Sequence, residues 1–197
     1  IKTDSYTYTK HAFLLKKVSR YSSGYQTSID EVKESDLTDG KLYYELEIKP
    51  AERNLNDTFT VKDKLPEGAV YVEDSFNASP TTLNQMSVSE DGRTLTFTIP
   101  KEVYVNEDGS YKHDVLYIHY AIQISNANIS GSQQELVYFT NTATSGEDTA
   151  SVTVPVLFEE EEIEEDDVID KKGFQNDSDI TYTIVVNKNR LDLIPNV

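Results

Sequence analysis

Along most of the chain apolar and polar residues alternate with the period of two that a half-buried strand requires. In residues 41–49, Leu42, Tyr44, Leu46 and Ile48 share one face, Glu45 and Glu47 take the other, and Pro50 ends the run. Residues 57–65 set Phe59, Val61, Asp63 and Leu65 against Thr58, Thr60, Lys62 and Lys64. Residues 115–124 give Leu116, Ile118, Tyr120, Ile122 and Ile124 as an inner face, and residues 136–144 give Val137, Phe139, Asn141 and Ala143. Residues 13–18, 69–72 and 150–156 read as further strands, with Leu14, Lys16 and Val18 on one face of the first. Residues 86–89 and 94–99 flank Glu90-Asp91-Gly92, a hairpin signal, with Leu95, Phe97 and Ile99 inward.

Turn signals at Thr38-Asp39-Gly40, Pro66-Glu67-Gly68, residues 106–109 and Gly146 separate these runs, and residues 19–40 read as a loop. No stretch carries the period of an amphipathic helix. About eight or nine short strands punctuated by turns predict an all-β fold, an antiparallel Ig-like β-sandwich.

The pattern breaks at Phe158. Residues 158–167 read FEEEEIEEDD, a self-repelling run that predicts an acidic linker over 157–168. It lacks the spaced ligands and glycine turn of a calcium loop. The chain then begins again: Ile169-Asp170-Lys171-Lys172 echoes Leu14-Leu15-Lys16-Lys17, and residues 180–187 echo residues 41–49, with Ile180, Tyr182, Ile184 and Val186 on one face. Three segments are therefore expected: a sandwich domain over 1–156, the linker, and the start of a second, truncated sandwich repeat over 169–197, too short to bury a core alone.

Composition narrows the partners. The 197 residues carry 18 basic and 35 acidic side chains, a net charge of −17. Such a chain repels nucleic acid and anionic membrane surfaces, so neither is expected as a partner. No apolar run reaches the roughly 18 residues that span a bilayer. The chain contains no cysteine, which excludes disulfides and thiolate metal sites, while 13 tyrosines and 7 phenylalanines among its 37% hydrophobic residues support a packed core. It opens at Ile1 without a methionine and reads as an excised piece of a longer protein.

Three strands share one anomaly. Lys16 lies between Leu14 and Val18, Asp63 between Val61 and Leu65, and Asn141 between Phe139 and Ala143, each a polar group at an inward position of an apolar face. A carboxamide facing a core costs about 1–3 kcal/mol unless something satisfies it. Buried charges are rare unless paired, so three such groups in one small core are expected to meet. Burial favours the neutral forms of an amine and of a carboxyl. A neutral amine held against a carboxamide can attack its carbonyl carbon while the carboxyl polarises the oxygen and shuttles protons. Ammonia leaves and an isopeptide bond remains. The event happens once per molecule, so it is self-modification and not enzymatic turnover.

The runs Thr58-Phe-Thr-Val-Lys-Asp-Lys-Leu-Pro-Glu-Gly68, Asp91-Gly-Arg-Thr-Leu-Thr-Phe-Thr-Ile-Pro100 and Phe139-Thr-Asn-Thr-Ala143 resemble the isopeptide-forming, collagen-adhesin-like domains of Gram-positive pilins and surface adhesins. The resemblance covers roughly residues 13–156. It implies Lys16 as amine donor, Asn141 as acceptor and Asp63 as the assisting acid, with neighbouring Lys17 as the alternative amine. It also implies a bacterial cell-surface location and two kinds of partner: neighbouring repeats of the same polypeptide, and a host extracellular-matrix protein such as collagen. A stalk module stiffened by a crosslink and a ligand-binding adhesin module without one both fit. Neither a sortase sorting signal nor a pilin-type lysine motif is present, so polymerisation into a pilus shaft gains no support.

Other chemistry is weaker. His11, His113 and His119 are scattered, and no metal site or cofactor is called for. No Ser, His and Asp arrangement has motif context. Asn128-Ile-Ser130 and Asn176-Asp-Ser178 match glycosylation sequons that matter only in a eukaryotic secretory setting. Tyr43, Tyr104 and Tyr138 are expected on the surface, where scattered aromatics need no ligand to explain them.

Overall fold

A computed structural model describes residues 12–124 and 136–158, and the backbone of residues 169–176 and 179–186. His11, the 128–130 sequon, most of the acidic run and the C-terminal residues from 187 onward lie outside the described residues. The chain divides into two compact units, residues 1–159 and 160–197.

The first unit is an all-β sandwich. One sheet runs β1 (Leu14–Ser19), β3 (Lys41–Ile48), β9 (Leu116–Ile124), with two short strands, β5 (Ala69–Tyr71) and β6 (Asn77–Ser79), pairing along the far side of β9. The other runs β2 (Val32–Lys33), β11 (Asp148–Leu157), β10 (Leu136–Ser145), β4 (Phe59–Lys64), β8 (Thr94–Ile99), β7 (Gln85–Val88). Neighbouring strands are antiparallel except β2, which lies parallel to the end of β11. β7 and β8 form the hairpin expected around Glu90-Asp91-Gly92, and Gly92 takes the positive φ of 68° that this turn requires.

Alternation decides which side chains enter the core. Leu42, Tyr44, Leu46 and Ile48 of β3 are fully buried, as are Leu116, Ile118 and Ile122 of β9, while Glu45 and Glu47 face outward. Val61 of β4, Leu95, Phe97 and Ile99 of β8, and Val152, Val154 and Val156 of β11 close the core from the second sheet.

Three features depart from the expected layout. A two-residue strand, β2, and two 3-10 turns occupy part of residues 19–40. β6 and a single helical turn, α1 (Lys101–Tyr104), are too short to leave a periodic signal in sequence. Tyr104 is not on the surface: α1 turns it fully inward, its hydroxyl donates to the Asp57 carbonyl at 2.6 Å, and its ring meets Phe59 edge-on. Tyr138 is exposed as expected, and Tyr43 is partly so.

In the second unit β12 (Ile169–Asn176) and β13 (Asp179–Val186) pair antiparallel. Their register reproduces that of β1 and β3. Lys171 stands opposite Ile184 as Lys16 stands opposite Leu46, and Gly173 opposite Tyr182 as Val18 opposite Tyr44.

Because β9 has strands on both sides and Ile118 has no exposed surface, Ile118→Ala is expected to cost about 2–5 kcal/mol in urea unfolding. Val70→Ala, at a position 49% exposed, is expected to stay within about 0.5 kcal/mol.

Candidate functional site

The site lies between the two sheets, and the pairing registers bring its members together. Lys16 is directly opposite Leu46 on β3, so it shares the inward face of Leu46 and its neighbours Leu14 and Val18. Tyr44 and Tyr120 are paired across β3 and β9 and stack with ring centroids 5.6 Å apart. On the facing sheet Asp63 of β4 pairs with Ala143 of β10, which places Asn141 diagonally across on the same face. The first sheet thus supplies Lys16, Tyr44 and Tyr120, and the second supplies Asp63 and Asn141.

The contacts are direct. Lys16 Nζ forms an ion pair with Asp63 Oδ2. It also donates to the Tyr120 hydroxyl at 2.7 Å, and that hydroxyl donates to the same Asp63 Oδ2 at 2.7 Å. Asn141 Nδ2 donates to the Tyr120 hydroxyl at 3.0 Å. Asp63 and Asn141 have no exposed surface, and Lys16 has 3%. The ammonium also lies over the Tyr44 and Tyr120 rings, 4.9 and 5.3 Å from their centroids.

Three buried polar atoms here make no hydrogen bond: Asp63 Oδ1, Asn141 Oδ1 and the Tyr44 hydroxyl, which lies by the Asn141 amide without closing one. Each orphaned group of this kind costs about 1–3 kcal/mol.

Burial dominates the electrostatics. It pulls the Lys16 pKa below its ordinary 10.5, and the Asp63 charge and hydrogen bond restore only part of the loss. Burial, and then the Asp63 charge, hold the phenols of Tyr120 and Tyr44 above their ordinary range. The environment therefore shifts Lys16 toward its uncharged, nucleophilic form and keeps both phenols protonated. Lys16 Nζ and Asn141 Nδ2 sit on one shared hydroxyl, so an amine and a carboxamide are neighbours in the buried core, with the Asp63 carboxyl bonded to the same hydroxyl. That arrangement suits acyl transfer from the amide to the amine.

Of the sequence-derived residues, Lys16, Asp63 and Asn141 meet and Lys17 does not join them. Lys17 is on the outer face of β1, paired with Glu47 and, at 3.2 Å, with Glu45; the Glu47 hydrogen bond raises its pKa. His119 is also outward, with Nε2 2.9 Å from Glu45 Oε2 and Nδ1 3.2 Å from Asn77 Oδ1. Sequence reasoning placed Tyr44 and Tyr120 on inner faces but missed their part in the site. The signal was present, since a phenol among Ile118, Ile122 and Ile124 also needs a buried partner.

No protein-family model matches the chain, and no curated protein matches it in sequence. Among solved structures it is similar to the collagen-binding domain of a Staphylococcus aureus adhesin, at 17% identity and a TM-score of 0.45, over 76% of this chain and 99% of that one. It is also similar to the collagen adhesin of S. aureus, at 13% identity and a TM-score of 0.47, over 90% of this chain and 53% of that one. A third similarity is to an Enterococcus faecalis adhesin described as binding its ligands by a collagen hug, at 11% identity and a TM-score of 0.47, over 76% of this chain and 52% of that one. The chain thus spans nearly all of the first and about half of the other two. Identities this low transfer no residue roles and no binding partner to this chain.

The lowered Lys16 pKa has a measurable consequence. Between its folded value and 10.5 the unfolded chain binds more protons than the folded one, so stability rises with pH in that window. An Asn141→Ala chain, which leaves the amine without an acceptor, is expected to gain unfolding free energy as pH is raised toward 10, and Lys16→Met in the same background removes the gain. Above pH 10 the raised phenols of Tyr44 and Tyr120 act oppositely, because the folded state then keeps protons that the unfolded chain releases. Urea unfolding across a pH series checks both arms.

Proposed function

We propose that the sandwich is a stalk or adhesin module of a Gram-positive bacterial surface protein, stabilised by an autocatalytic isopeptide bond between Lys16 and Asn141. The observation that carries this reading is the buried network in which Lys16, Asp63, Tyr120 and Asn141 meet from four strands and both sheets. The motifs around Asp63 and Asn141 that resemble isopeptide-forming domains add to it.

In this reading Asp63 takes a proton from the Lys16 ammonium, and the free amine attacks Asn141 Cγ. With its proton on Oδ1, the Asp63 carboxyl stabilises the oxyanion that develops on Asn141 Oδ1; neither of these oxygens has another hydrogen-bond partner. The Cγ–Nδ2 bond breaks and ammonia departs.

The bond would tie β1, an edge strand of one sheet, to β10 in the interior of the other. It would close nearly the whole domain into one covalent loop, so force on the termini could not peel β1 away. By analogy with a disulfide closing a long loop, the gain is about 2–5 kcal/mol. The matching register of β12–β13 and β1–β3 supports reading residues 169–197 as the start of a second sandwich in a tandem array. Host extracellular-matrix proteins are the outside partners consistent with such a module.

Intact-mass spectrometry tests the reading. The wild-type chain is expected to be lighter than its sequence by one ammonia. Lys16→Ala, Asp63→Ala and Asn141→Ala each restore the full mass, and Lys17→Ala stays light. A wild-type chain at full mass removes the crosslink and leaves the alternative, a ligand-binding adhesin module without one.

A further inference from the structure

Tyr120 occupies a position that the attack of Lys16 on Asn141 does not by itself explain. Its hydroxyl accepts from the nitrogen that attacks, Lys16 Nζ at 2.7 Å, and from the nitrogen that leaves, Asn141 Nδ2 at 3.0 Å, and donates to Asp63 Oδ2 at 2.7 Å. A phenol offers one donor and two acceptor sites, so all of its hydrogen-bonding capacity is spent on this reaction centre. Its ring is held by Tyr44 at 5.6 Å and Phe97 at 5.8 Å, and 1% of the residue is exposed. Tyr44 is as deeply buried and yet its hydroxyl makes no hydrogen bond, so burial of a tyrosine in this core does not in itself produce such a network.

The chemistry leaves a proton to be moved. Aminolysis of a carboxamide breaks down productively only if the departing nitrogen is protonated, because amide anion is a far poorer leaving group than ammonia. After Asp63 has taken the first proton from Lys16, the attacking nitrogen still has one to lose in the tetrahedral adduct. That proton has to travel from Nζ to Nδ2.

We propose that Tyr120 is a catalytic residue of the crosslinking reaction, relaying this proton from the attacking Lys16 nitrogen to the departing Asn141 nitrogen. The proposal rests on the crosslinking reading above. In the relay the Nζ–Cγ bond has formed. The Tyr120 oxygen accepts the Nζ proton as its own hydroxyl proton, turned from Asp63 toward the adduct, passes to Nδ2. The Cγ–Nδ2 bond then breaks and its electron pair leaves with ammonia. Nitrogen, oxygen and hydrogen all balance: Nζ ends as an amide N–H, Nδ2 leaves with its two hydrogens and the relayed one, and the phenol is regenerated. The raised pKa of Tyr120 keeps the hydroxyl protonated throughout, as a relay that must donate while it accepts requires.

The test follows crosslinking in time. The 197-residue chain, recovered from inclusion bodies in denaturant, is diluted into buffer, quenched at intervals, and scored by intact mass for loss of one ammonia. Tyr120→Phe, which keeps the ring, is expected to react about a hundredfold more slowly than wild type while folding to the same sheet signal in circular dichroism. Tyr104→Phe removes a buried, hydrogen-bonded phenol elsewhere in the core and is expected to leave the rate unchanged. Equal rates for Tyr120→Phe and wild type, or equal slowing by Tyr104→Phe, overturn the relay while leaving the crosslink intact. A wild-type chain that never loses ammonia overturns the crosslink reading and the relay with it. Should Tyr120→Phe fail to fold, the wild-type rate in mixtures of light and heavy water decides. Two protons moving in one step give a curved dependence on deuterium fraction, and a linear dependence contradicts the relay.

Discussion

The ion pair between Lys16 and Asp63 is the constraint around which the sandwich is arranged. An ammonium and a carboxylate without access to water are tolerable only when each is held by the other and by further polar groups. Tyr120 supplies that support, bonded to both partners, and the Tyr44 and Tyr120 rings present their faces to the cation. Because the two charges come from facing sheets, the pair also fixes how the sheets face each other. A shift of β1 by one residue would turn the Lys16 amine out toward Glu45 and Glu47 and put Lys17 in its inward place.

The same arrangement makes the core reactive in principle. Burial that disfavours the Lys16 ammonium favours the amine, and an amine is a nucleophile. Asn141 brings the only carboxamide in the described network, and it leaves its carbonyl oxygen without a donor. An apolar core built for stability alone would have no use for three orphaned polar atoms. An isopeptide bond would exchange the buried charges for a neutral amide, which gives the polar cluster a reason to exist.

Much of this was legible in the sequence because strands advertise themselves by a period of two. Nearly every long strand lies where alternation puts it, and the inward positions of Lys16, Asp63 and Asn141 followed from the same period. What alternation does not encode is which strands are neighbours. That Lys16 and Tyr120 reach one another, from β1 and β9 on either side of β3, depends on the register of two strand pairs. Tyr120 therefore passed as one more large core residue. Tyr104 was misplaced for a different reason: it sits on a single helical turn, where no periodic signal indicates which way a side chain points.

The most direct measurement is tandem mass spectrometry of a proteolytic digest of the native chain. A branched peptide joining the segment that holds Lys16 to the segment that holds Asn141, with fragment ions placing the link on those two side chains, is the expected result. Separate linear peptides carrying an unmodified Lys16 and an unmodified Asn141 would contradict the account, and a branch on Lys17 would contradict the register on which it rests.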